Sequence, residues 1–221
     1  MGNRVIGAAG ANPSACGASS AITLLRGADL VASAWKNGGG TTREVAAFPQ
    51  GAGLDAFLWR VSIADVAQPG PFSRFAGIDR TLVLLSGAGM LLDEARETDG
   101  TPAALTHALT QPLDLARFAG EAAIDARLVD GATRDFNLMV RRDAATGEVE
   151  VWRGGAAASQ RSLSADVVLL FCAAGSFEVA VGETPPVALT GDDTLRIDAP
   201  AALRCTVAGD GALLAVSIRY T

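Results

Sequence analysis

From Ser20 onward the chain is written in short aliphatic and β-branched runs, each closed by Gly, Pro or Asp, and few stretches sustain a helical period. Such a pattern folds as many short strands. Phe57-Leu58-Trp59-Arg60-Val61-Ser62-Ile63 alternates, with Phe57, Trp59, Val61 and Ile63 on one face and Leu58, Arg60 and Ser62 on the other. Thr81–Leu85 and Met90–Leu92 flank Ser86-Gly87-Ala88-Gly89, which reads as a hairpin. Further strands are predicted at Arg43–Phe48, Ile124–Val129, Asp135–Arg141, Val149–Trp152, Val167–Ala173, Phe177–Val181, Leu203–Val207 and Leu213–Ile218. Only Glu94–Glu97 and the segment after Pro71 leave room for a turn of helix.

The runs also repeat. Leu82–Gly89 resembles Val168–Gly175 at an offset of 86 residues, Ala108-Leu109-Thr110 recurs as Ala188-Leu189-Thr190, and each copy continues into a last strand, Phe136–Arg141 and Leu214–Arg219. Their common order points to a duplicated β unit. Closing each unit into a barrel removes most exposed sheet edges. A chain of 221 residues, 49% hydrophobic, is long enough for two small barrels. With aromatics at 5%, aliphatic side chains must fill them. The expected organisation is a mobile tail at 1–19, rich in Gly, Ala, Ser and Asn, a first barrel at 20–142 and a second at 143–221, with strands open to sharing between them.

Charge and cysteines exclude several classes of function. A net charge of −6 and scattered arginines offer no basic face for nucleic acid. Lys36 is the only lysine among 18 basic residues, so arginine is the default cation here and a lone Arg says little about anion binding. Cys16, Cys172 and Cys205 are odd in number and widely spaced, which fits reduced thiols better than a disulfide framework or a zinc site. No apolar run is long enough for a transmembrane helix, and the first residues lack a signal peptide's hydrophobic region. The cytoplasm is the expected compartment.

Four blocks carry the polar chemistry. Trp35-Lys36-Asn37-Gly38-Gly39-Gly40-Thr41-Thr42-Arg43-Glu44 lacks the Lys-Ser/Thr ending of a phosphate-binding loop, and reads as a glycine turn into a strand. Arg60 and Ser62 on the less apolar face of their strand are either solvated or the lining of a pocket; Asp135 and Asn137 present the same choice. Gly70-Pro71-Phe72-Ser73-Arg74-Phe75 and Gly77-Ile78-Asp79-Arg80 form a tight loop whose phenylalanines cover a barrel edge, with Asp79 and Arg80 open to being a surface pair.

Taken in order, Trp35-x-Asn37-Gly38-x-Gly40-x-Thr42-Arg43-Glu44, Trp59-Arg60-Val61-Ser62-x-Ala64, Gly70-Pro71-Phe72-Ser73-x-Phe75-x-Gly77-x-Asp79-Arg80 and Gly131 with Asp135-Phe136-Asn137-x-Met139 resemble the signature blocks of the HutD/Ves family. The resemblance covers most of residues 21–142 and is weaker from Val149 on. It implies an all-β bicupin of two tandem jelly-roll barrels and a link to bacterial histidine utilisation, as a regulator or metabolite sensor; the Ves branch is linked to stress instead. It also favours the pocket reading, in which Asn37, Arg43, Glu44, Trp59, Arg60, Ser62, Arg80, Asp135 and Asn137 bind a ligand.

A metal-dependent cupin holds its ion with two or three His and a carboxylate. This chain has one histidine, His107, in a stretch that reads as a polar surface connection, so no cofactor or metal is expected. Histidine-based nucleophilic schemes fall with it. Arg, Ser, Asn and Asp suit recognition of a small organic acid, because a guanidinium matches a carboxylate with two parallel hydrogen bonds. Urocanate, formiminoglutamate and formylglutamate are the acids the resemblance brings, with Arg60 as the expected main contact. A homodimer is compatible with the sequence; a membrane or nucleic-acid partner is not expected. Two other readings stay open: a metal-independent enzyme using Glu44 or Asp135 as base, and a pure interaction protein with closed barrels.

Overall fold

A computed structural model of the chain describes residues 4–5, 20–98 and 101–221. Most of the tail expected at 1–19, Cys16 included, lies outside the described residues. In chain order the strands are β1 (Arg4–Val5), β2 (Ile22–Leu25), β3 (Ala32–Ala34), β4 (Gly40–Phe48), β5 (Trp59–Val66), β6 (Gly70–Pro71), β7 (Ile78–Ser86), β8 (Met90–Thr98) and β9 (Thr101–Leu109). There follow β10 (Leu115–Ala119), β11 (Ala123–Leu128), β12 (Thr133–Arg141), β13 (Ala145–Leu163), β14 (Val167–Val181), β15 (Val187–Thr190), β16 (Thr194–Asp198) and β17 (Leu203–Tyr220). Among the described residues the one helical element is a 3₁₀ turn at Gly27–Asp29. Neither expected helical turn forms: Glu94–Glu97 lies within β8, and Pro71 ends β6 before a turn. From Met90 to Glu94 burial alternates, with Met90, Leu92 and Glu94 buried and Leu91 and Asp93 less so, a two-residue period that a helix cannot use.

The fold is all-β, two cupin-like jelly rolls in tandem. One unit comprises the described part of Met1–Asp29 with Gly147–Tyr220, and the other Leu30–Thr146 with Thr221. The boundary expected at residue 20 therefore shifts. β2 pairs with β16, Ile22 facing Ile197, so this early strand belongs to the sheet of the C-terminal half.

The unit Leu30–Thr146 holds a six-stranded sheet, β10-β7-β12-β5-β4-β3, and a four-stranded sheet, β6-β11-β8-β9. The other unit is one sheet in which β16-β14-β17-β13 follow the same order as β10-β7-β12-β5. The duplication is thus visible in the pairing. In the second copy β14 pairs first with β16 and then, past Gly175, with β15. In the first copy β7 pairs with β10, and β8, past Gly89, pairs with β9.

This corrects the hairpin expected at Ser86–Gly89. β7 and β8 do not pair; the turn carries the chain from one sheet to the other. Its glycines sit at φ 98° and 108°, and a Cβ on Gly89 would stand 2.3 Å from the Leu109 carbonyl oxygen. At the equivalent place β14 stays continuous but bulges between Cys172 and Ala174, with Gly175 at φ 76°. Both copies turn the corner on glycine because backbone from another strand fills the space a side chain needs.

The interiors differ. In the C-terminal unit Leu170, Cys172, Phe177, Val179, Leu189, Leu195, Cys205 and Leu213 make an apolar core, and Cys172 and Cys205 are free thiols raised to about 11 by burial. In the unit Leu30–Thr146 a core of Leu82, Leu84, Met90, Leu92, Leu109, Ile124 and neighbours fills only part of the barrel.

Gly175→Ala should lower stability by about 3 kcal/mol, because its Cβ would lie 1.9 Å from the Asp210 carbonyl oxygen at a φ that L-residues avoid. Gly155→Ala, with nothing within 4 Å of the added Cβ, should stay within about 0.5 kcal/mol of wild type. Urea unfolding midpoints compare the two directly.

Candidate functional site

The part of the first barrel that its aliphatic core leaves open is a cavity of about 670 Å³. Three central strands place its polar wall. Register puts Arg60 on β5, Met139 on β12 and Arg80 on β7 in one row, then Ser62, Asn137 and Leu82, then Ala64, Asp135 and Leu84. Residues in register share a face, so each row projects into the same space. The opposite face of these strands carries Trp59, Val61, Ile63, Phe136 and Leu138, all nearly inaccessible. Both faces are buried, and the open choice for Arg60, Ser62, Asp135 and Asn137 resolves inward. All four line the cavity, as do Arg80 and Asn37.

Arg80 is the unusual group. It is 7% exposed, and its guanidinium lies 5.1 Å from the Phe72 ring centre, 5.8 Å from that of Phe75 and 5.1 Å from that of Phe118. Three aromatic faces attract a cation but cannot neutralise it. Its Nη1 donates one long bond, 3.5 Å, to the Ser73 carbonyl, and its Nε donates to nothing. No carboxylate among the described residues forms an ion pair with it, and burial pulls it down to about 10, with Asp135 opposing that shift from a distance.

The surface pair left open for Asp79 and Arg80 does not form among the described residues. Alternation sends Asp79 to the other face of β7, where it binds Arg142 at 2.7 Å. Arg60, by contrast, already has its counter-charge: Nε donates to Glu44 at 2.8 Å and Nη1 to the Ser62 hydroxyl at 3.2 Å. Glu44 contributes through that pair. Arg60 thus has Glu44 as counter-charge, whereas Arg80 has no carboxylate partner among the described residues.

Asp135 is 2% exposed, and neither it nor Asn137 makes a side-chain hydrogen bond among the described residues; Asp135 Oδ2 and Asn137 Oδ1 are enclosed without a donor. Burial raises Asp135 to about 7, Arg80 resists the rise, and Asp65 adds to it. The cavity therefore offers a buried cation at Arg80 and a carboxyl held well above the usual carboxylate range.

Three expected residues do not line the cavity: Glu44, which acts only through Arg60, and Arg43 and Trp59. Arg43 lies on the other face of β4 and is bound by Asp65, which also takes a hydrogen bond from Thr41 at 3.3 Å. Trp59 is a fully buried core residue stacked on Phe48 at 6.4 Å, on the face opposite Arg60. The glycine block is a turn joining β3 and β4: Trp35 N–H donates to Gly40 O at 2.9 Å, and Asn37 Oδ1 accepts from Gly39 N–H at 3.0 Å. Phe118 escaped the sequence reading. It sits across β10 and β7 from Arg80, a pairing that no local pattern signals. Phe72 and Phe75 were visible in their loop, but as cover for an edge rather than as a cation's cage.

His107 is not on a surface connection. It lies in β9 with Nε2 2.9 Å from Glu94 Oε2, and its ring is 6.1 Å from that of Phe118. Glu94 also binds Arg96 through two bonds of 3.0 Å. Among the described residues no three His, Cys, Asp or Glu side chains are grouped to hold a metal ion, and no helix is long and apolar enough to cross a membrane. The cavity thus presents hydrogen-bonding and charge, suited to holding an anion.

Asp135 also links stability to pH. In the unfolded chain it ionises near 3.8, and in the fold near 7. Between these values the folded protein holds a proton that the unfolded chain has released, so this group's contribution falls as pH rises from about 4 to about 7 and is level above. Asp135→Asn should flatten that slope and, at pH 8, stabilise by about 1–3 kcal/mol. Urea unfolding of both proteins at pH 5 and pH 8 measures the difference.

Comparison with known proteins agrees with this architecture. The HutD family model matches residues 27–215. An uncharacterized 21.2 kDa protein of the hutC 3′ region of Pseudomonas putida is 38% identical over 179 residues, 81% of this chain and 88% of that protein. Protein Ves of Citrobacter koseri is 38% identical over 120 residues, 53% of this chain and 56% of Ves. The solved structure of HutD from Pseudomonas fluorescens SBW25 superposes with a TM-score of 0.75 at 32% identity, over 90% of this chain and 99% of that one. This chain belongs to the HutD family.

Proposed function

We propose that the protein binds a small organic carboxylate in the first barrel without transforming it, as a metabolite-responsive regulator of histidine utilisation. The observation that carries this reading is Arg80, a buried guanidinium against three aromatic rings with no carboxylate partner among the described residues, opening on a cavity of about 670 Å³. A buried cation without a counter-charge costs several kcal/mol, and an entering anion removes that cost. The relative from the hutC 3′ region supports the pathway, and urocanate, formiminoglutamate and formylglutamate are the acids to try.

One observation favours a second reading. A carboxyl raised to about 7 is suited to proton transfer, so Asp135 could serve as base in a metal-independent enzyme acting on such an acid. Against it, the Ser62 hydroxyl is engaged by Arg60, and His107 is bound to Glu94. Incubation of each acid with the protein, followed by chromatography, separates the readings, since recovery of unchanged acid favours binding alone.

Ligand at about 100 times its dissociation constant stabilises by roughly 2.7 kcal/mol, which for this length raises the melting temperature by roughly 5–10 °C. Arg80→Met should abolish the shift while leaving the unliganded protein as stable as wild type or more so, because it replaces an unpaired cation with an apolar chain inside an apolar cage. Arg60→Ala, which leaves Arg80 in place, should keep part of the shift. An equal shift in wild type and Arg80→Met would show that the acid binds elsewhere.

A further inference from the structure

We infer that Asp135 selects the ligand by accepting a hydrogen bond from it, so that the cavity takes acids carrying an N–H or O–H donor beyond the carboxylate and discriminates against acids that lack one. The inference rests on the carboxylate-binding reading and adds the second half of the ligand. On its own face Asp135 is flanked by Ala64 across β5 and Leu84 across β7, neither of which has a polar side chain. Along β12 its neighbours on that face are Thr133 and Asn137; neither donates to it among the described residues, and Thr133 Oγ1 and Asn137 Oδ1 are themselves enclosed without a partner. Farther along the wall, Ser62 is joined to Arg60 and Arg60 to Glu44, while Asp65, on the other face of β5, is taken by Arg43.

Every flanking element thus leaves Asp135 without a donor, and the cavity is the remaining side. An enclosed acceptor left unsatisfied is costly, and buried polar groups are ordinarily hydrogen-bonded. The wall as a whole has a surplus of cation at Arg80 and a surplus of acceptors at Asp135 and Asn137. A ligand with an anionic end and an N–H or O–H group complements both; a plain hydrocarbon acid complements only the first. In the empty cavity a proton on Asp135 meets the same need, in keeping with the carboxyl's raised pKa.

The test uses matched acids on the full chain by titration calorimetry at pH 7.5. trans-Urocanate is set against 3-(2-furyl)acrylate, which keeps the five-membered ring and the acrylate but has no N–H. N-Formylglutamate is set against the same molecule methylated on the amide nitrogen. In a pair that binds, the donor-bearing acid should bind wild type about tenfold tighter or more, the size of one well-made hydrogen bond to a charged group. In Asp135→Ala the two members should come within about threefold of each other. Equal affinities on wild type, or an undiminished preference in Asp135→Ala, would overturn the assignment while leaving the carboxylate reading intact. Failure of all four acids to bind wild type would remove the carboxylate reading itself, and this inference with it. The wild-type comparison needs no variant to fold.

Discussion

A guanidinium held in the interior with no ion-pair partner among the described residues is costly, and part of the first barrel is arranged around it. Arg80 reaches the interior because β7 alternates Arg80, Leu82 and Leu84 on one face, the latter two in the aliphatic core. Phe118 meets it from the neighbouring strand, and Phe72 and Phe75 come from the loop after β6. These rings exclude water and hold the cation by their faces. The same interior that strips Arg80 of solvent raises Asp135, so the two unusual groups of the cavity share one cause.

The duplicated unit shows what happens when that arrangement is not required. Where β7 and β12 set Leu84 across from Asp135, β14 and β17 set Leu170 across from Ala215. Leu82 faces Asn137 in one copy, and Val168 faces Ser217 in the other. With the buried carboxyl replaced by a methyl group, the second interior packs as aliphatic core, and its corner strands run unbroken through bulges. One copy keeps a carboxyl in its interior at a cost in stability; the other has Ala215 at the matching position.

Much of this was legible in the residues, for reasons that also explain what was not. Two-residue alternation located the strands, since the pleat forces it, and ordered motif blocks pointed to the family. Alternation also paired Arg60 with Ser62, and Asp135 with Asn137, on common faces. It could not reveal that both faces of those strands are buried, which is why inward and outward stayed open. It was equally silent on partners. Glu44 sits 16 residues from Arg60 and Phe118 lies 38 residues from Arg80, distances closed only by sheet register. Arg43 and Trp59 belong to the motif blocks yet face away from the cavity, because a block records a stretch of chain while a site uses alternate residues of it. The hairpin at Ser86–Gly89 failed for a related reason. Glycines at a turn report positive φ, and that geometry serves a corner between sheets as well as a return within one.

The depth of Arg80 also sets how the protein responds to its ionic surroundings. Surface pairs such as Arg142 with Glu121, 44% and 46% exposed at 3.0 Å, sit within reach of dissolved counter-ions, which weaken them as salt rises. Mobile ions cannot follow the field into a cage of phenylalanine rings. The attraction between Arg80 and an anion seated in the barrel is then set by the fixed interior and only weakly by ionic strength, so recognition there would persist through osmotic changes that silence the protein's outer charges.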